Sequence, residues 1–161
     1  MSGKRASLLA MFIALSVVGA LIKIPSVIGS VALDAFPALV ASVLLGSRSG
    51  ALIAGFGHLL SALIVGFPLG PMHLLIAAEM AVLVWLFGAL YEKSKRKTAV
   101  GLFLVGNGVV APLPFLFMLG TGFYVAIMPG LVVASAINLV LAMALIPRLA
   151  TIFEKKGLAS L

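Results

Sequence analysis

Between residues 6 and 147 the chain is a succession of apolar runs, broken only by short polar or glycine- and proline-bearing stretches. Several runs approach or reach the roughly 20 residues that a membrane-spanning helix requires. Lipid offers no hydrogen-bond partner to an open backbone, so a spanning segment is either a helix or part of a closed barrel. Runs such as 102–105 and 131–146 do not alternate apolar with polar residues, as barrel strands do, which selects helices. Composition agrees: only 9% of the residues are charged, against about 25% in a soluble domain, and the mean hydropathy is +1.32. The 161 residues make a single integral membrane domain, 1–161. The expected fold class is an all-α membrane protein.

Breaking the chain at polar, Gly and Pro punctuation gives six segments at about 6–24, 33–46, 50–66, 72–91, 98–119 and 124–147. The first is too long and too apolar for a signal peptide alone and is read as the first anchor. The second is short for a crossing, so it must tilt, extend into its loop or be shielded by neighbours. A four-span alternative, with 33–66 as a re-entrant hairpin, also fits. With six spans, Lys4, Arg5, Arg48, Lys93, Lys95, Arg96, Lys97, Arg148, Lys155 and Lys156 share one side, and of the 11 basic residues only Lys23 lies on the other. Short loops rich in Lys and Arg stay in the cytoplasm. The expectation is therefore a six-transmembrane-helix bundle of the cell membrane, with N and C termini cytoplasmic.

Several chemistries are excluded. The chain contains no Walker A loop, no H-E-x-x-H and no G-x-S-x-G, so it is not its own P-loop ATPase, and enzyme action has little support. There is no cysteine, and His58 and His73 have no ligand spacing with the carboxylates, so neither a metal nor a cofactor is expected. The basic stretch around 92–97 lacks interleaved aromatics and directly follows a span. Its partner is the anionic surface of the lipid bilayer rather than nucleic acid.

What remains is a set of polar side chains. Lys23 closes the first span and Asp34 opens the second, with Pro25, Ser26, Gly29 and Ser30 in the loop between. His73 opens the fourth span, with Glu79 deeper in it, while His58, Asn107 and Asn138 fall mid-span. A carboxylate at membrane depth costs at least about 2.5 kcal/mol, so Glu79 needs an internal partner or a polar cavity. It either pairs with a neighbouring His or Asn or serves a ligand or proton site. Structural roles are open to the others: interhelical hydrogen bonds for Asn107 and Asn138, snorkelling for Lys23, helix capping by Asp34, a satisfied buried histidine for His58. Phe67 and Tyr124 sit at span ends where a planar ligand could stack, whereas Trp85 lies too deep. In the first span Ala6, Ala10 and Ala14 recur every four residues, leaving a shallow face for close approach of another helix.

Six short spans, both ends inside, this alanine face and the polar cluster together resemble the S-components of energy-coupling-factor (ECF) transporters, over essentially the whole chain. Within that family, Ile22–Lys23–Ile24–Pro25, Val31–Ala32–Leu33–Asp34, Gly57–His58–Leu59, Gly66–Phe67–Pro68–Leu69 and His73–Leu74–Leu75–Ile76 look most like the S-components assigned to cobalamin precursors, specifically α-ribazole. The resemblance implies a vitamin or vitamin-precursor ligand, a membrane T-component docked on the alanine face, and two cytoplasmic ATPases. A nucleoside-like ligand needs an apolar or aromatic slot and fixed polar groups for its hydroxyls. Phe67 and Tyr124 could supply the slot, and Asp34, His73, Glu79 and Asn107 the polar groups. Hydroxyethylthiazole or a pyrimidine precursor would suit the same set. A self-sufficient proton-coupled carrier relaying through Glu79 or His58, and an intramembrane enzyme using Glu79 with His73, are the competing classes.

Overall fold

The computed structural model describes residues 3–25 and 30–158; Ser26 and Gly29 of the first loop lie outside the described residues. Helix α1 (Gly3–Ala20) leads into two three-residue strands, β1 (Lys23–Pro25) and β2 (Ser30–Ala32). These pair antiparallel with Lys23 opposite Ala32 and Pro25 opposite Ser30. Then come α2 (Ala35–Leu44), α3 (Ser47–Val65) and α4 (Met72–Glu92). Helix α5 (Arg96–Val105) passes through a π-helical turn (Gly106–Val110) into α6 (Leu113–Leu119), and α7 (Thr121–Lys155) completes the bundle. Five stretches, Gly3–Ala20, Ser47–Val65, Met72–Glu92, Arg96–Leu119 and Thr121–Lys155, are long and apolar enough to cross a membrane, and Ala35–Leu44 is a shorter apolar helix.

Two helix ends differ from the sequence expectation. α1 stops at Ala20 rather than near 24, and the next residues pair as a strand. The β-branched Ile22 and Ile24 and the bias that Pro25 imposes on the residue before it both disfavour continued helix. At the other end α7 continues past 147 to Lys155, with both Pro129 and Pro147 inside it. Each proline removes one ladder bond, but the apolar surface flanking it is packed, down to buried Ile146 and Phe153.

Helix α2 is the centre of the bundle. It packs against α1, α3, α4 and α7, and of its ten residues only Phe36 is not buried. Its length is about 15 Å at the helical rise, half of a roughly 30 Å hydrocarbon core, so its ends lie inside the protein and must be satisfied there. Close approach to α3 depends on small residues: a Cβ on Gly50 would come within 2.6 Å of the Ser42 Cα, and one on Gly57 within 2.7 Å of the Ser16 Cβ on α1. Such positions let membrane helices gain van der Waals contact without a hydrophobic driving force.

The bundle has two chemically distinct ends. Arg5 Nη2 donates to Ser49 Oγ at 3.1 Å, joining the starts of α1 and α3, and the Ser47 amide donates to Glu92 Oε1 at 3.4 Å, joining α3 to the end of α4. Lys4 and Lys156 line one shallow groove, so the first and last helices meet at this same basic end. The opposite end carries the β-hairpin, the 66–71 connection and the bend at Gly120.

Candidate functional site

At the hairpin end the fold brings Asp34, His58, His73 and the 66–71 connection together. His58 Nδ1 lies 3.3 Å from Asp34 Oδ2, His58 Nε2 lies 3.1 Å from His73 Nδ1, and the Leu69 amide donates to His73 Nε2 at 3.4 Å. One placement of protons along the row satisfies the last contact together with the other two. An amide can only donate, so His73 Nε2 is bare and its Nδ1 carries hydrogen. That hydrogen goes to a bare His58 Nε2, leaving Nδ1–H of His58 to donate to the Asp34 carboxylate. With that placement both rings are Nδ1–H tautomers, lined up between one backbone amide and one acid.

The connection is itself held tightly. Gly66 closes α3 in the left-handed region at φ 89°, its amide and that of Phe67 returning to Leu63 and Ala62, the arrangement that satisfies a helix's last carbonyls. Phe67 follows at φ 49°, a conformation that costs an aromatic residue about 1–3 kcal/mol and persists only where the surroundings enforce it. It sets the Phe67 ring edge-on to His73, centroids 5.6 Å apart.

A second group lies across the bundle. Pro112 and Pro114 withhold two backbone donors just where α5 would continue, and the helix widens into the π-turn, closed by the Ala111 amide on the Gly106 carbonyl at 2.7 Å. Wide turns of this kind recur at functional sites. Here the turn presents Asn107, whose Nδ2 donates to Ser135 Oγ at 2.8 Å, and the Val109 carbonyl, which accepts from the Tyr124 hydroxyl at 3.1 Å. Glu79 shares a stripe of α4 with Leu83, one turn away, and Leu83 fills the space beside Gly106. Glu79 thus sits on the face of α4 that carries Leu83. Glu79 is partly buried, and its Oε2 is fully buried without a hydrogen-bond partner among the described residues.

The remaining sequence candidates separate by role. Asn138 accepts from the Phe36 amide at 2.7 Å and donates to the Ala134 carbonyl at 2.9 Å and, at 3.4 Å, to that of Ala32. It caps α2 from another helix. Asp34, which stands at the capping position of α2, makes no side-chain cap bond; its carboxylate serves His58 instead. Lys23 is exposed on β1, paired across the hairpin with Ala32. Along α1, Ala10 and Ala14 are exposed and Ala6 is half-buried, so the alanine face is turned outward. Two relevant hydroxyls were missed by the sequence reading. Ser135 is fully buried beside Asn107, and Ser16 is 1% exposed with no partner for its Oγ among the described residues. The signal for Ser135 was its place three residues before Asn138 on one helix face.

These features define a multi-pass helical membrane protein that keeps polar side chains inside an apolar bundle at one end, as membrane binding and transport subunits do. The family model for the ECF transporter, substrate-specific component, matches residues 4–160, and the chain belongs to that family. A search of curated proteins finds no match. Membership makes the chain a substrate-binding transport subunit and not an enzyme, and it implies a small-molecule substrate together with a T-component and ATPases.

Proposed function

We propose that the chain captures a vitamin precursor bearing a flat heteroaromatic ring and hydroxyl groups, and delivers it to an ATP-driven ECF complex in the cell membrane. The basic end faces the cytoplasm with both termini, α2 counts as a sixth, shielded span, and the hairpin end opens outward. The motif resemblance of 22–25, 31–34, 57–59, 66–69 and 73–76 favours α-ribazole, a cobalamin precursor, over hydroxyethylthiazole. The observation that carries the reading is Glu79, whose buried Oε2 lacks a partner among the described residues. An orphaned acceptor in such a place is expensive, and a ligand hydroxyl or ring N–H would satisfy it. Phe67 and Tyr124 would flank the ring, with Asp34, His58, His73, Asn107 and Asn138 arranging the polar surroundings and Lys23 at the rim.

Native mass spectrometry of protein extracted gently from membranes tests this directly. Retention of a nucleoside-sized heteroaromatic molecule supports the proposal, and α-ribazole itself would establish the finer assignment. Retention of a molecule lacking either a ring or hydroxyls overturns it.

A further inference from the structure

The row from Asp34 to Leu69 has a property that pairwise contacts do not reveal. Each ring is hydrogen-bonded at both nitrogens, and in the proton placement above each uses one as donor and one as acceptor, all in the same sense. An additional proton therefore has no free place on either ring. A proton added to His58 falls on Nε2, opposite the hydrogen already on His73 Nδ1. His73 must then carry its hydrogen on Nε2, opposite the Leu69 amide. A proton added to His73 goes straight to Nε2, with the same outcome. Whichever of the two rings the proton enters, the contact that gives way is the one to the connection, because its amide is the member of the row that can only donate.

We propose that the Asp34–His58–His73 row is a proton-operated latch on the 66–71 connection, holding it against the bundle when both rings are neutral and releasing it when one proton is added. This deepens the proposed capture function by assigning regulation to the same site. The groups facing the row are few. Asp34 approaches from the start of α2 and His73 from α4, while α1 presents the uncharged Ser16 beside Gly57. Glu79 lies further along α4, on the face that carries Leu83. The side chains of His58 and Asp34 are 14% and 12% exposed and His73 is 7% exposed, so water reaches the row sparingly and cannot replace the lost bonds without movement of the connection. Within that segment Gly66, Phe67 and Gly70 all have positive φ, at 89°, 49° and 55°, and release would relieve the cost held at Phe67.

The absence of cysteine gives a clean test that needs no ligand. Pro68 is exposed in the middle of the connection; Pro68→Cys carrying a nitroxide, in lipid nanodiscs, reports its mobility. The expected result is an immobilised spectrum at pH 8 that converts reversibly to a mobile one at pH 5. With His73→Gln in the same background the pH dependence should be lost. Nitrogen-15 spectra of histidine-labelled protein at pH 8 should show both rings protonated at Nδ1 and bare at Nε2. A connection equally immobile at both pH values, a response that survives His73→Gln, or either ring protonated at Nε2 at pH 8 overturns the latch. Because no ligand enters these measurements, failure here leaves the capture proposal standing. A functioning latch in a protein that retains no heteroaromatic molecule would overturn capture alone.

Discussion

A side chain in this bundle is best understood by asking what its polar atoms would do without their partner. Glu79 Oε2 has no hydrogen-bond partner among the described residues, and the proposed role follows from that. Glu79→Gln preserves shape but removes the charge; since a charge-assisted hydrogen bond contributes about 1.5–3 kcal/mol, affinity for the co-purifying ligand should fall roughly tenfold to a hundredfold. Glu79→Ala should lose at least as much. Titration calorimetry beside ligand-free melting separates this from a purely structural part, which would lower the melting temperature and spare affinity. Asn138 is the opposite case, fully employed by protein groups. Asn138→Leu strands the Phe36 amide inside the bundle and should destabilise the ligand-free protein by about 1–3 kcal/mol, read as a lower melting temperature in nanodiscs. Asp34 illustrates what sequence could not convey. Its position before α2 has the signature of a cap, yet the capping oxygen comes from Asn138, 102 positions beyond the Phe36 amide it serves, and local spacing carries no information about such a partner. His58 and His73 were legible as candidates because polar residues in apolar runs stand out, but their mutual contact required the antiparallel packing of α3 on α4.

At the scale of elements, the apolar runs and their punctuation made most helices legible, because a span in lipid has one backbone solution. The departures all involve proline. Pro25 sits where α1 has given way to a strand, Pro112 and Pro114 follow the widening into the π-turn, and Pro147 fails to stop α7. The same residue type ends, widens or merely interrupts a helix according to what packs around it, and that context is tertiary. The π-turn offers a direct check. Pro112→Ala restores a donor and removes the ring's clash with the preceding turn, so the helix should regularise. Asn107 would then rotate away from Ser135, and ligand affinity should drop even as the melting temperature holds or rises. Loss of stability together with affinity would mean that the proline only terminates packing.

The molecule as a whole divides its work between two ends. The polar groups gather at the hairpin end, whereas the outward-facing Ala6, Ala10 and Ala14 lie on the half of α1 nearer the basic end. Under the proposed docking role, Ala10→Leu should abolish ATP-driven uptake in the reconstituted complex while the isolated subunit binds its ligand with unchanged affinity. Uptake unaffected by the larger side chain would remove the docking face from the account. The buried α2 has a consequence of another kind, for biogenesis. A ten-residue helix is too short to partition into the bilayer by itself as it leaves the translocon, and the atom that satisfies its first turn belongs to Asn138 on the last helix. During synthesis the centre of the protein must therefore wait, loosely lodged or not yet inserted, until the final helix emerges. The innermost element in space is among the last to be completed in time.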